Sequence, residues 1–223
     1  MPLKPSNVPP ARGLPDPPAY LPGPTPPAEP PPAGLLARLR ARRAGARRGV
    51  RAGPGAALGR GVVLEVAPGA AIELGAGCAL GPRCKLHARA GVIRIGEGAV
   101  LGQGCTLTAH AGIAIGREAE LGDEAVVIDF DHRFDDVERP VREQGVVGTP
   151  VVIGERARIG ARAAIQRGIT VGEGAAVSAL SVVTRDVAAG TRVGGVPAQA
   201  PQTGSKPRPG SGTRDESRSR PDR

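Results

Sequence analysis

The sequence predicts an all-β protein, a parallel β-helix built from six-residue repeats. The main evidence is a stretch where branched apolar residues recur six positions apart: Ile153, Ile159, Ile165, Val171, Val177 and Val183. A period of six fits neither an α-helix, whose period is 3.6, nor a simple strand, whose period is two. Self-similarity at a fixed period instead indicates a solenoid, here with three repeats in each coil.

Glycines and small residues recur at fixed offsets from the apolar positions. Glycines stand directly after an apolar position at Gly154, Gly160 and Gly172, and three positions after one at Gly168 and Gly174. Small residues stand four positions after at Ala157, Ala163, Ala175 and Ser181. Glycine allows the positive φ that a tight corner needs, and a small side chain avoids crowding there. The pattern therefore predicts corners between short strands.

The same pattern, with interruptions, extends back to about Leu58. Its apolar positions are Leu74, Leu80, Leu86, Ile95, Leu101, Leu107, Ile115, Leu121 and Val127, and its corner glycines are Gly61, Gly77, Gly98 and Gly104. The three cysteines, Cys78, Cys84 and Cys105, occupy small-residue positions. We expect them to be buried reduced thiols, with Cys84 and Cys105 stacked in successive coils, and not nucleophiles or metal ligands.

The formal net charge of +9 is concentrated at the two ends of the chain. Residues 1–51 carry nine basic and two acidic residues, whereas residues 52–205 carry 15 basic and 16 acidic residues. A near-neutral body with basic ends favours solvated tails over a specific nucleic-acid site. Residues 1–33, which are rich in proline, and residues 201–223 are predicted to be disordered. No signal peptide or run of transmembrane length is recognisable, so a cytoplasmic protein is expected.

Residues 34–54 are predicted to form a short basic helix at the start of the β-helix. Leu35, Leu36 and Leu39 would lie on one side of it. Such a helix could cap the open end of the solenoid, where the first coil would otherwise expose its backbone edge. Alternatively, it could make a weak contact with an anionic membrane surface. The short apolar side favours the cap.

The period fails for about 25 residues after Val127, and this segment is the predicted functional site. Both phenylalanines of the protein, Phe130 and Phe134, flank His132 here, among several aspartates. An excursion from a regular solenoid costs ordering entropy and adds nothing to the core. Such a segment is therefore usually functional when its composition is this distinctive.

Several motifs together resemble the hexapeptide-repeat acyltransferases, over roughly residues 55–200. They are the repeats, the loop DFDHRFDD followed by RPVREQG, the segment VVIGERARIGARAAIQRGITVGEGAAVSALSVVTRDV and the ending VGGVPA. The nearest groups are the bacterial sugar O-acetyltransferases and the xenobiotic acetyltransferases. The resemblance implies a left-handed β-helix, which is an exception to the right-handed crossover rule. It also implies a homotrimer that binds acetyl-CoA between subunits, with no metal.

The resemblance also implies residue roles. His132 would act on a hydroxyl of a sugar, a polysaccharide precursor or a related small molecule. The donor contacts would be Gly160, Ala161 and Ala179 through the backbone, with Thr184 and Arg185 near the phosphates. The chain departs from the family at Arg158, where a tryptophan is common.

The chemistry can be argued from the residues as well. An alcohol attacks a thioester poorly unless its proton leaves during attack, and a histidine, whose ordinary pKa is about 6.5, can accept that proton at neutral pH. Asp131 or Asp129 could orient the imidazole, and the sequence does not choose between them. Backbone N–H groups at a corner could stabilise the oxyanion.

Other functions remain open at this point. The scaffold could serve an N-acetyltransferase or an antibiotic acetyltransferase. A zinc enzyme of the carbonic-anhydrase type would use His87 and His110, but no two histidines have the close spacing typical of that class. A non-catalytic scaffold would leave the histidine loop unexplained, and a nucleotidyltransferase fragment would lack a preceding Gly-rich domain.

Overall fold

The computed structural model describes residues 34–46 and 48–200, and the predictions made for residues 1–33 and 201–223 lie outside them. One helix, α1 (Leu35–Gly45), precedes a nearly all-β body of short parallel strands. No helix in this part of the chain is long and apolar enough to cross a membrane.

Three parallel sheets form the faces of the β-helix. The first sheet contains β1 (Val50–Ala52), β4 (Ala71–Leu74), β7 (Val92–Ile95), β10 (Ile113–Ile115), β15 (Val151–Ile153) and β18 (Thr170–Val171). The second contains β2 (Ala57–Leu58), β5 (Ala79–Leu80), β8 (Val100–Leu101), β11 (Glu120–Leu121), β16 (Arg158–Ile159), β19 (Ala176–Val177) and β21 (Arg192–Val193). The third contains β3 (Val63–Val66), β6 (Lys85–Ala88), β9 (Thr106–Ala109), β12 (Val126–Ile128), β17 (Ala164–Ile165) and β20 (Val182–Val183).

The chain visits the three sheets in turn, so each set of three strands is one coil. The described residues form six complete coils, as the repeats predict, and Val187 and β21 begin another. β1 lies inside residues 34–54 and already belongs to the first coil, because it pairs with β4. The predicted β-helix fold is confirmed.

The predicted apolar positions form the core. From Leu74 to Val183, every one of them is at most 4% exposed. The small residues four positions later are fully buried at Ala157, Ala163, Ala175 and Ser181. Each buried aliphatic side chain contributes about 1.5–3 kcal/mol. The columns of side chains inside the prism therefore hold its three walls together.

The interruptions in the first half arise from longer strands. Partners in the first sheet are 22 residues apart between Val50 and Ile72, and 20 apart between Ile93 and Ile113. They are only 18 apart between Val152 and Thr170. The early strands β3, β4, β6, β7 and β9 have four residues each, which lengthens the coil without changing its stacking.

The glycines directly after an apolar position allow the coils to approach each other. A Cβ at Gly154, Gly160 or Gly172 would lie 2.3–2.6 Å from a backbone nitrogen of the next coil. None of the three has a positive φ, so the expectation that corner glycines supply this conformation is wrong for them. The close approach of the next coil's backbone is the physical reason for glycine at these three positions.

The second set of glycines behaves as predicted, with φ of 73° at Gly168 and 62° at Gly174. This corner position does not require glycine, because six other residues occupy it with φ between 53° and 60°. They are Arg83, Glu118, Glu124, Arg156, Arg162 and Leu180. A left-handed conformation costs an ordinary residue about 1–2 kcal/mol, which the stacked coils can offset.

Helix α1 covers the first coil, which confirms the predicted cap. Its contact side is made of alanines, with Ala41 2% and Ala44 7% exposed, and it packs against β1 and β2. Arg40 donates from Nη1 to the Leu58 carbonyl oxygen at 3.4 Å. The leucines predicted to share one side of the helix do not make this contact and face solvent instead.

The two kinds of corner glycine should respond differently to substitution. A Cβ at Gly116 would lie 2.5 Å from the Glu155 nitrogen, whereas a Cβ at Gly77, with φ of 64°, meets nothing within 4 Å. We expect Gly116→Ala to lower the free energy of unfolding by about 2–3 kcal/mol through overpacking. The control Gly77→Asn should cost less than about 1 kcal/mol, because Asn tolerates this conformation. Urea unfolding at one protein concentration measures both, and equal losses would contradict the explanation.

Candidate active site

The predicted functional segment leaves the β-helix at the turn from the third sheet back to the first. This excursion (residues 129–150) connects β12 to β15 and contains an antiparallel pair, β13 (Phe130–His132) and β14 (Val146–Gly148). His132 pairs with Val146 in this hairpin. The side of the prism that carries this turn is called the histidine edge below.

A buried carboxylate fixes the root of the excursion. Asp129 is fully buried and accepts hydrogen bonds from the backbone N–H groups of His110 (2.7 Å), Ala111 (2.8 Å) and Gly112 (2.5 Å). These donors belong to the equivalent turn one coil earlier. Three such bonds compensate the desolvation of the carboxylate, so Asp129 has a structural role in holding the excursion.

Three rings continue from this root towards solvent. The ring centroids of His110 and Phe130 are 4.3 Å apart, and those of Phe130 and His132 are 5.9 Å apart with the rings nearly perpendicular. Edge-to-face contacts of this kind favour one relative orientation. Phe130 therefore orients the His132 imidazole, which is exposed.

Asp131 pairs with an arginine from the next coil. Its Oδ2 atom lies 2.5 Å from Nε of Arg167, at the turn that follows β17. Within the described residues, neither Asp131 nor Asp129 hydrogen-bonds to the imidazole, so the structure assigns the orienting contact to Phe130. The ion pair instead ties the hairpin to the prism.

A cavity of about 370 Å³ opens beside the histidine. It is lined by Asp131, His132, Arg133, Phe134, Asp135, Val147 and Arg167. Arg167 was not identified from the sequence. The available signal was its place in the corner just before Gly168, one coil after the excursion, which puts it on the histidine edge.

The predicted donor contacts fall into two groups. Gly160 and Ala161 lie in the turn between β16 and β17, and Ala179 lies in the next such turn, between β19 and β20. We call the edge of the prism that carries these two stacked turns the glycine corner. A Cβ at Gly160 would lie 2.3 Å from the Ala179 nitrogen, so the turns are in direct contact. Among the described residues, the N–H groups of Ala161 and Ala179 donate no hydrogen bond, which leaves two adjacent donors for a ligand.

Thr184 and Arg185 follow β20 on the histidine edge, where both are exposed. The third sheet separates this edge from the glycine corner. One chain therefore brings His132, Thr184 and Arg185 to one edge, and Gly160, Ala161 and Ala179 to another.

The cysteines do not contribute to this surface. All three are free and fully buried, and Cys84 and Cys105 stack in successive coils as predicted. Their Sγ atoms donate to the carbonyl oxygens of Gly102 (3.0 Å) and Gly122 (3.2 Å). Burial raises the pKa of Cys78 to about 12, and the hydrogen bond with Cys84, together with burial, raises the pKa of Cys105. These two thiols are therefore protonated at neutral pH.

The remaining histidines, His87 and His110, are half-buried. His87 Nε2 lies 4.0 Å from Glu65 Oε2, and His110 stacks on Phe130. In the part of the chain that the structure describes, no three His, Cys, Asp or Glu side chains are grouped in a way that could hold a metal ion.

A family model described as the hexapeptide repeat of succinyl-transferase matches residues 92–127 and 150–185, on both sides of the excursion. The two segments that flank the excursion are therefore similar to hexapeptide repeats. The chain is 32% identical over 115 residues to a probable acetyltransferase of Mycobacterium tuberculosis, which covers 51% of this chain and 38% of the relative. This match spans well under half of the relative's length.

Solved structures are similar to this chain as well. A hexapeptide-repeat-containing acetyltransferase from Vibrio cholerae is 28% identical, with a TM-score of 0.53 over 58% of this chain and 72% of that one. An N-acyltransferase from Bacillus cereus, solved with dTDP-4-amino-4,6-dideoxyglucose and coenzyme A, is 21% identical. Its TM-score is 0.58 over 67% of this chain and 81% of that one, and at this identity it supports the fold alone.

The anchoring role of Asp129 can be tested by substitution. Asp129→Ala leaves three N–H groups without their acceptor, so we expect the free energy of unfolding to fall by about 2–4 kcal/mol. Asp129→Asn, which keeps one acceptor oxygen, should lose less. The control Asp135→Ala removes an exposed carboxylate of the same excursion and should leave stability unchanged. Urea unfolding measures all three, and an unaffected Asp129→Ala variant would refute the anchor.

Proposed function

We propose that this chain is an acetyl-CoA-dependent O-acetyltransferase with His132 as the general base. Its acceptor would be a hydroxyl of a sugar, a polysaccharide precursor or a related small molecule. The observation that carries the proposal is an exposed imidazole, oriented by Phe130, beside a cavity on an excursion that is firmly anchored to the β-helix. The names of the Mycobacterium and Vibrio relatives support acetyl transfer.

The proposed reaction is a direct transfer. The acceptor oxygen attacks the thioester carbonyl carbon while His132 takes the hydroxyl proton. The tetrahedral intermediate then collapses, the carbon–sulfur bond breaks, and the imidazolium returns the proton to the leaving thiolate of coenzyme A. The N–H groups of Ala161 and Ala179 would bind the donor, and Thr184 and Arg185 would bind its phosphates. Asp131 supports the base by holding the hairpin through Arg167.

We further propose that the complete site lies between two subunits of a homotrimer. One chain places its base and its donor-binding corner on different edges, with the third sheet between them. A three-fold assembly can bring the histidine edge of one subunit against the glycine corner of its neighbour at all three interfaces. Light scattering should give a trimer mass.

His132→Ala should lower kcat about 10²–10⁴-fold with little change in the KM for acetyl-CoA, because only proton transfer is lost. Free-thiol release with a panel of hydroxyl and amine acceptors measures this effect and separates O- from N-acetylation. The matched control is His87→Ala, which removes a histidine on the third sheet and should retain normal turnover. Normal turnover of His132→Ala would disprove the assignment of the base.

Arg185→Ala should have the opposite kinetic effect. A phosphate contact is made equally in the ground state and the transition state, so its loss raises the donor KM and spares kcat. Titrations of acetyl-CoA at saturating acceptor measure the two parameters. A fall in kcat with an unchanged KM would exclude the phosphate role.

Mixed trimers test whether the site is shared. Ala179→Trp should block the glycine corner, and His132→Ala inactivates the histidine edge. Random equal mixing of these two variants should restore about a quarter of the parent activity, because one interface of each mixed trimer is intact. At an acetyl-CoA concentration where Arg185→Glu alone is inactive, His132→Ala mixed with Arg185→Glu should recover nothing, since both defects lie on the histidine edge. No recovery in the first mixture would place the site within one chain.

A further inference from the structure

Helix α1 presents an apolar stripe to solvent. Leu35, Leu36 and Leu39 are 75%, 67% and 41% exposed. At 3.6 residues per turn they fall within a sector of about 100°, on the side away from Ala41 and Ala44. The alanines alone cap the first coil, so the leucines are not needed for the fold. A contiguous exposed apolar group of this kind is typical of an interaction surface.

Arginines surround the leucine stripe. Arg38 stands three positions after Leu35, Arg40 four after Leu36, and Arg42 and Arg43 three and four after Leu39. At these spacings each arginine shares a side of the helix with a leucine. All four arginines are exposed, and residues 34–64 contain no Asp or Glu. Within the described chain, Arg38, Arg42 and Arg43 form no ion pair.

A groove of about 720 Å³ lies between α1 and the turn at residues 53–56. Leu35 and Leu39 line it on the helix side, together with Arg38 and Arg42. Pro54 and Ala56 line it on the opposite side. The apolar surface of the stripe therefore continues into a cleft whose charged residues are all cationic.

We propose that α1 docks this protein on an anionic lipid bilayer, with the helix lying in the plane of the interface. The leucines would enter the boundary between headgroups and acyl chains, and the guanidinium groups would bind lipid phosphates. An 11-residue helix is only about 17 Å long, too short for a hydrocarbon core of about 30 Å. A nucleic-acid site would use the arginines but has no need of three exposed leucines.

The test is co-sedimentation of the full chain with vesicles of phosphatidylcholine containing 30% phosphatidylglycerol, compared with phosphatidylcholine alone. We expect binding to the anionic vesicles only, weakened by added salt. Replacing Leu35, Leu36 and Leu39 by Gln, or Arg38, Arg42 and Arg43 by Gln, should each lower the partition coefficient at least tenfold. Both triple variants should keep the parent melting temperature, because these side chains are exposed.

The matched control is Val137→Gln, which removes an apolar side chain that is 96% exposed on the excursion. It should bind like the parent chain. Binding that depends on the arginines and not on the leucines, with equal affinity for duplex DNA, would identify a polyanion site and overturn the proposal. A lower oligomer mass of the leucine variant in light scattering would show that a second copy of the chain covers the stripe. That result would also overturn the proposal. The proposal is independent of the catalytic assignment, which uses other residues.

Discussion

The spacing of successive coils is the constraint on which the rest of this structure depends. Strands of neighbouring coils hydrogen-bond along each face, and the turns must then stack at the same separation. At Gly116 and Gly160 this leaves no room for even a Cβ atom. The sequence satisfies the constraint with glycine where backbones meet, and it places larger residues where a turn faces solvent. The glycines directly after an apolar position follow from this single distance.

The same spacing also determines which backbone N–H groups of the turns remain available at the surface. A turn that stacks closely cannot pair all of its N–H groups within the β-helix, so Ala161 and Ala179 keep donors available at the glycine corner. At another turn, the N–H groups of His110, Ala111 and Gly112 are satisfied by the Asp129 carboxylate. A side chain from the following coil thus closes this turn and anchors the excursion. The regular scaffold is what allows an irregular segment to be held firmly.

The fold could be predicted from the sequence because every coil repeats the same environment. Six equivalent apolar positions all predict the same inward-facing place in a coil, and all six are buried in the structure. The site was less predictable because it depends on single contacts. Asp131 pairs with Arg167, 36 residues away, and nothing in a local pattern indicates that pair. The orientation of α1 was missed for a similar reason, since small alanines can pack more closely against the first coil than leucines can.

The exposed side of α1 and the glycine corner lie at different heights along the β-helix. Helix α1 covers the first coil, and the glycine corner belongs to the fifth and sixth coils. At about 4.8 Å per coil, roughly 20 Å separate them, so a bilayer bound at α1 would leave the glycine corner uncovered. A three-fold assembly places its three copies of α1 at one height along the symmetry axis. Three weak contacts then act together, and their combined binding can exceed that of one helix by orders of magnitude. In the proposed homotrimer, the short leucine stripe would therefore bind a membrane more tightly than it would in one chain.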